Sequence, residues 1–241
     1  VRGCACRGPH AGFVHIRCLV ANAEVKGEDG DDEAYLRALS WCGQCRQLFT
    51  GAVRVALWRG AWLRFAGRAE TDTARTNTLQ HLGAALSNVE RFDESLIIKR
   101  ECVALCRQQY GPESPKTIDT EEQLTLLELL FRDCAEDIES ALPTLTRAYA
   151  CKTQCRGRDD EQTIRTAGHL ANAHRDLGML AQATRLRRSM LESLRRNHGD
   201  RPHHDVLQCR MQLALLLVRQ GQTTEARRVH GEIRPSAKRS L

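Results

Sequence analysis

The chain has 241 residues, of which 41% are hydrophobic, 27% charged and 5% aromatic, and it carries a formal net charge of +6. This composition is typical of a soluble chain of one or two domains, and its abundance of leucine, alanine, arginine and glutamate favours helix over sheet. No apolar run approaches the ~18 residues that a membrane-spanning helix needs, so we expect no membrane-spanning segment and no membrane partner.

The first fifty residues hold cysteine and histidine in close pairs separated by loops. The pairs have the spacings C-x-C, H-x-x-C and C-x-x-C, and they are Cys4 with Cys6, His15 with Cys18, and Cys42 with Cys45. Thiolate and imidazole are the ligands of tetrahedral zinc, and each pair brings two of them to one ion without straining the backbone. The alternatives are ordinary cysteines or disulfides. Disulfides need an oxidising compartment, and nothing in the sequence resembles a secretory signal, so we predict bound zinc.

This order of pairs resembles the RING-CH (RING-variant) zinc finger. The resemblance rests on Cys4-Ala5-Cys6-Arg7-Gly8, Phe13-Val14-His15-Ile16-Arg17-Cys18-Leu19, and Trp41-Cys42-Gly43-Gln44-Cys45 followed by Phe49. It implies two zinc sites, one completed by Cys4, Cys6, Cys42 and Cys45, the other half-built from His15 and Cys18. The family's first C-x-x-C pair is missing, because the chain starts three residues before Cys4. We therefore expect an N-terminally truncated finger over residues 1–50.

A connecting helix is predicted next, over residues 51–70. Val53, Leu57, Ala61 and Phe65 recur at helical spacing and would share one face.

From residue 71 onward the sequence repeats. Leu170 and Leu213 begin similar segments 43 residues apart, Leu82 begins a third copy two periods earlier, and Leu126 lies in a degenerate fourth. Each unit reads as two helices with a small residue where they cross and a glycine near the end of the first. The pattern, with the linker Tyr110-Gly111-Pro112-Glu113-Ser114-Pro115-Lys116-Thr117, resembles the tetratricopeptide repeat of kinesin light chain. We expect about four repeats over 71–235 and a tail over 236–241.

The predicted fold class is therefore mostly α: a small zinc-bound RING-like head followed by an α-α superhelix, a tetratricopeptide repeat solenoid. In such a solenoid the first helix of every pair lines a concave surface. Aligning the repeats predicts these groove-facing residues: Asn77, Gln80, Asn88, Glu128, Arg132, Arg165, Asn172, Asp176, Gln208 and Arg219. The resemblance singles out Asn172, because this slot often carries an asparagine that bonds a peptide backbone. The basic-plus-amide clamp that some family members use for a C-terminal carboxylate is not reproduced in these positions.

Nothing in the helical part has the pattern of a catalytic site: there is no phosphate-binding loop and no nucleophile elbow. The favoured hypothesis is a zinc-binding scaffold that holds a protein or peptide in the repeat groove. The alternative is a RING-CH-type ubiquitin ligase that recruits a conjugating enzyme at the finger, and Asn22 weakens it by standing where that family often has tryptophan. Residues 183–241 are basic, but no aromatic residues interleave with the arginines, so nucleic acid is not the expected partner. The cysteine content favours a reducing compartment, the cytoplasm or else the nucleus.

Overall fold

The computed structural model describes residues 15–28, 30–131, 134–199 and 203–231. These residues form eleven α-helices and a single antiparallel bridge between Trp41 and Leu48. The helices are α1 (Ile16–Lys26), α2 (Asp32–Ser40), α3 (Gly51–Phe65), α4 (Thr73–Ser87), α5 (Phe92–Tyr110), α6 (Pro115–Glu128), α7 (Ala135–Arg156), α8 (Glu161–Asp176), α9 (Leu180–His198), α10 (His204–Arg219) and α11 (Thr223–Gly231). Among these residues no helix is both long and apolar enough to cross a bilayer.

The chain divides into two compact units, residues 1–127 and 128–241. Unit 1 has a core in which α3 is the central element. Trp58 of α3 is 1% exposed and stacks on the imidazole of His81 in α4, with ring centroids 4.2 Å apart. Phe65 meets the ring of Tyr35 from α2 edge to face. The predicted connecting helix thus packs on both the N-terminal helices and the first repeat helix of its own unit.

Helices α4 and α5 form the first repeat pair, and they cross closely because Gly83 has no side chain. A Cβ atom at Gly83 would lie 3.1 Å from Cγ of Lys99. The Gly83 carbonyl also accepts a hydrogen bond from the buried Ser95 hydroxyl at 2.8 Å, which fixes the crossing point. This is the small residue that the repeat pattern predicts at the helix crossing.

Unit 2 is built from α7 to α11 around a separate apolar core. Leu217 of α10 has no exposed surface and packs in this core among side chains of α8, α9, α10 and α11. Asp160 begins α8 by accepting hydrogen bonds from the backbone N–H groups of Gln162 and Thr163, which satisfies donors that a helix start leaves open. Within unit 2 the predicted pairs α8–α9 and α10–α11, and the break between them, are confirmed.

The described part of the head differs from the loop-rich finger that the sequence suggests. Residues 15–40 form the helical hairpin α1–α2, in which Asp31 caps α2 by accepting from the backbone N–H of Ala34. A short turn carrying Cys42 and Cys45 follows, before Phe49 enters the core. A zinc-bound RING-like head is not what these residues show, and the zinc ligands remain a prediction.

Candidate functional site

A cavity of about 640 Å³ lies within unit 2, between α8 and α10, with α9 behind them. Its walls come from the two helices that the repeat pattern predicts to line a concave surface, and its floor comes from the second helix of the pair α8–α9. Arg165 and Asn172 of α8 and Gln208 of α10, all predicted as groove residues, line it. The structure therefore brings three of the ten predicted positions together at one site.

The floor of the cavity carries Arg187, an arginine that is only 8% exposed. Its Nη2 donates to Oδ1 of Asn172 at 2.6 Å, and its Nη1 lies 3.9 Å from the sulfur of Met190. Among the described residues no carboxylate lies within ion-pair distance of this guanidinium. Burial lowers the pKa of Arg187, because the surroundings disfavour its charge. Burying a cation among neutral partners only lowers the stability of the folded state.

Cys209 of α10 is the third neutral group beside this guanidinium. Burial raises the pKa of its thiol to about 11, so at neutral pH it is uncharged. The Cys209 thiol donates to the backbone carbonyl of Arg187 at 3.4 Å. It therefore helps to hold the arginine in place but does not neutralise it.

Asn172 presents its amide at the cavity wall. Its Oδ1 accepts from Arg187 and, at 3.4 Å, from Nη1 of Arg175. Its amide nitrogen has no acceptor among the residues that the structure describes. That nitrogen can donate to a carbonyl or carboxylate placed in the cavity, which is the role that the resemblance predicts for this position.

The other predicted groove residues lie elsewhere. Asn77 and Gln80 of α4 bond to α6, Asn77 accepting from Lys116 at 3.0 Å and Gln80 donating to Thr120 at 3.0 Å. The remaining five positions are Asn88 at the end of α4, Glu128 at the end of α6, Asp176 paired with Arg175, Arg219 at the end of α10, and Arg132, which lies outside the described residues. In unit 1 the predicted amides thus serve helix packing.

Arg187 was not among the predicted site residues, although the sequence carries a signal for it. Ala183, Met190, Leu191 and Leu194 form the apolar stripe of α9, and all four are buried. Arg187 falls on that stripe, four residues after Ala183. A charged residue on the buried face of an amphipathic helix is the pattern that marks a functional position.

The predicted zinc ligands are only partly described. Cys4 and Cys6 lie outside the described residues, His15 is the N-cap of α1, and Cys18 lies exposed in the first turn of that helix. Cys42 and Cys45 sit in a tight turn. The backbone N–H of Arg46 donates to the Cys42 carbonyl, and the N–H of Cys42 donates to the Gln47 carbonyl, both at 2.9 Å. Both cysteines of the predicted C-x-x-C pair therefore lie in one turn of the backbone, and their role as zinc ligands stays a prediction.

Two further pairs of cysteines lie four residues apart on a helix, Cys102 with Cys106 on α5 and Cys151 with Cys155 on α7, and the two pairs differ in burial. Cys102 and Cys106 of α5 are both buried, as expected of residues that fill gaps in helix packing. The hydrogen bond with Cys106, together with burial, raises the pKa of Cys102. Cys155 of α7 is exposed, so it fills no gap.

Comparisons with known proteins support the helical repeats. The sequence profile described as tetratricopeptide repeat (TPR_10) matches residues 75–116. No curated protein matches the chain at a significant level.

Several solved structures share the fold at low sequence identity. The putative kinesin light chain of Podosopora anserina with nearly identical TPR-like repeats has a TM-score of 0.60 and 14% identity, covering 95% of this chain and 100% of its own. BtubC (BKLC) from P. vanneervenii has a TM-score of 0.65 and 15% identity, covering 95% and 97%. MamA (41-end) from Desulfovibrio magneticus RS-1 has a TM-score of 0.51 and 14% identity, covering 90% and 92%. The chain therefore has a tetratricopeptide-like helical fold.

Proposed function

We propose that this chain is a protein-interaction scaffold whose cavity in unit 2 binds an acidic segment of a partner protein. The observation that carries the proposal is Arg187, a buried guanidinium whose partners are an amide, a thioether and a thiol. The helical repeat fold supports a protein partner, since stacked helix pairs present extended binding surfaces.

Charge complementarity favours an acidic ligand. An entering carboxylate would give the Arg187 guanidinium the counter-ion that the protein does not supply, in a site where water only weakly screens the pair. The amide nitrogen of Asn172 can donate to the same carboxylate or to the ligand backbone. Arg165, at the wall, is exposed and already forms an ion pair with Glu161 at 2.8 Å, so it should contribute less than Arg187 to the binding of an acidic ligand.

A peptide selection tests this function. The full chain is immobilised and challenged with a displayed library of random peptides. We expect the enriched peptides to contain aspartate, glutamate or a free C-terminal carboxylate, and their binding to weaken as salt concentration rises. Enrichment of basic or wholly apolar peptides would overturn the proposal.

We further propose that the head binds one structural zinc ion through Cys4, Cys6, Cys42 and Cys45, with His15 and Cys18 available to a second. Zinc there would tie residues near the start of the chain to the turn after α2, a purely structural role. The turn geometry of Cys42 and Cys45 supports this donor set. A cytoplasmic or nuclear location is part of the same proposal, since thiolate ligands require a reducing compartment.

Replacing Cys42 and Cys45 together with serine should remove about one zinc ion per chain, because serine is a far poorer ligand than thiolate. Metal content is measured by elemental analysis of the purified chain. The matched control replaces Cys134 and Cys155, two exposed cysteines of unit 2, and should keep its zinc. Full zinc content in the Cys42 and Cys45 variant would refute the ligand assignment.

The ubiquitin-ligase alternative depends on this zinc head, since RING-type ligases act by positioning a charged conjugating enzyme. An autoubiquitination assay with a panel of conjugating enzymes separates the two functions. Autoubiquitination that disappears in the Cys42 and Cys45 variant would favour the ligase function. No autoubiquitination with any conjugating enzyme of the panel would favour the scaffold function.

A further inference from the structure

Three potential metal ligands converge at one end of the unit 2 cavity. His198 is the last residue of α9, His203 is the N-cap of α10, and Asp205 lies in the first turn of α10. One ligand atom from each lies within 4.8 Å of the other two. All three side chains also line the cavity. No part of the predicted repeat pattern requires this combination.

The separations suit a shared ion. Nδ1 of His203 lies 3.6 Å from Oδ2 of Asp205. Two ligands of a tetrahedral zinc ion, each bonded at 2.0–2.1 Å, are about 3.3 Å apart. The His203–Asp205 pair is thus already spaced to bind one ion, and His198 completes the set.

The two imidazole rings are stacked, with centroids 3.5 Å apart and planes 8° from parallel. A shared ion would require the rings to tilt, because each lone pair lies in the plane of its ring. The ion would also replace the weak capping bond that His203 Nδ1 accepts from the backbone N–H of Asp205 at 3.3 Å.

We propose that His198, His203 and Asp205 form a binding site for a divalent transition metal ion, with zinc as the first candidate. Two imidazoles and one carboxylate form a donor set suited to zinc and neighbouring first-row metals rather than to calcium or magnesium. Three protein ligands leave one coordination position open, and all three residues line the cavity. A carboxylate of a ligand in the cavity could fill it. The site does not depend on the proposed peptide function, and the two can fail separately.

The test must distinguish this site from cysteine ligands in the head. Cobalt(II) serves as the probe, because thiolate ligation gives charge-transfer absorption in the near ultraviolet, whereas imidazole and carboxylate ligation gives only ligand-field bands. The full chain is titrated with cobalt in a background in which all five cysteines of the head, Cys4, Cys6, Cys18, Cys42 and Cys45, are replaced by serine. We expect one equivalent to bind with ligand-field bands and without thiolate absorption.

The decisive variant adds His198→Gln and His203→Asn to this background. Asparagine at position 203 preserves a good N-cap, so α10 should still form, which far-UV circular dichroism checks. We expect its cobalt affinity to fall at least tenfold. The matched control replaces two exposed histidines of the same unit, His204→Asn and His230→Gln, and should bind as the background does.

Equal cobalt binding by the two double variants would overturn the proposal. So would the absence of any thiolate-free cobalt band in the background protein. A tenfold or larger loss confined to the His198 and His203 variant would establish the site, even if no peptide ligand were found.

Discussion

Replacing Arg187 by methionine is expected to abolish acidic-peptide binding while leaving unit 2 as stable as before or more stable. Truncating one member of a buried charged pair costs about 2–5 kcal/mol of binding free energy, which corresponds to at least a ~30-fold loss of affinity. In the unbound chain the same change removes a buried charge that meets only neutral groups. Replacing buried ionic groups by well-packed apolar ones is often neutral or stabilising by about 1–4 kcal/mol.

The opposite signs of the two effects make this a sharp test. Affinity is measured by titration calorimetry with a selected acidic peptide, and stability by urea denaturation. The control is Arg188→Met, on the same helix with the same change of charge, where the side chain is exposed and paired with Glu225 at 3.0 Å. That variant should bind and fold nearly as the parent does. If Arg187→Met instead destabilises the fold and keeps its affinity, the arginine is structural and the proposed function fails.

Replacing Leu217 by alanine is expected to lower the free energy of unfolding of unit 2 by about 2–5 kcal/mol. Leu217 has no exposed surface and contacts the main apolar core of unit 2, so truncation loses its burial and leaves a cavity. The matched control is Leu215→Ala, two residues earlier on α10, whose side chain is 55% exposed. Its effect should stay within about 0.5 kcal/mol.

The distribution of tryptophan helps this measurement. All three tryptophans, Trp41, Trp58 and Trp62, lie in unit 1. Tryptophan fluorescence therefore follows unit 1, whereas far-UV circular dichroism follows the helices of both units. The loss of stability in the Leu217 variant should appear as earlier unfolding in the dichroism signal. A shift of similar size in the Leu215 variant would contradict the described orientation of α10.

The repeat architecture could be predicted from the sequence because its signals are local and periodic. The equivalent positions Leu82, Leu170 and Leu213 are 2%, 4% and 3% exposed, which confirms the alignment of these repeats. Leu126, in the copy recognised as degenerate, is less completely buried. The linker from Gly111 to Pro115 separates α5 from α6 as expected, since proline begins a helix readily but does not continue one.

The head was harder to predict because one motif dominated its interpretation. The cysteine and histidine spacing indicated a finger, while the helical signals were overlooked. Asp31 precedes α2 as an N-cap, and Tyr35 and Leu39 recur at helical spacing and are both buried. Metal ligands and helix-forming residues can share one segment, so spacing alone does not determine its backbone structure.

The cavity in unit 2 was predictable only in part, for a physical reason. The repeat alignment was enough to assign residues of α8 and α10 to the concave surface. The burial of Arg187, in contrast, depends on how α8, α9 and α10 pack together. Likewise, Asn77 and Gln80 are residue types that binding surfaces often carry. In the structure they form hydrogen bonds with Lys116 and Thr120 and so hold α4 against α6. Amide side chains suit both roles, and only tertiary contacts distinguish them.

On the proposed function, the buried guanidinium of Arg187 would also couple the lifetime of this chain to its partner. A ligand that binds only the folded state lowers the population of unfolded molecules in proportion to its saturation of the site. On the proposed function, the chain would therefore be degraded faster in cells lacking the partner, and its abundance would rise and fall with the supply of that partner.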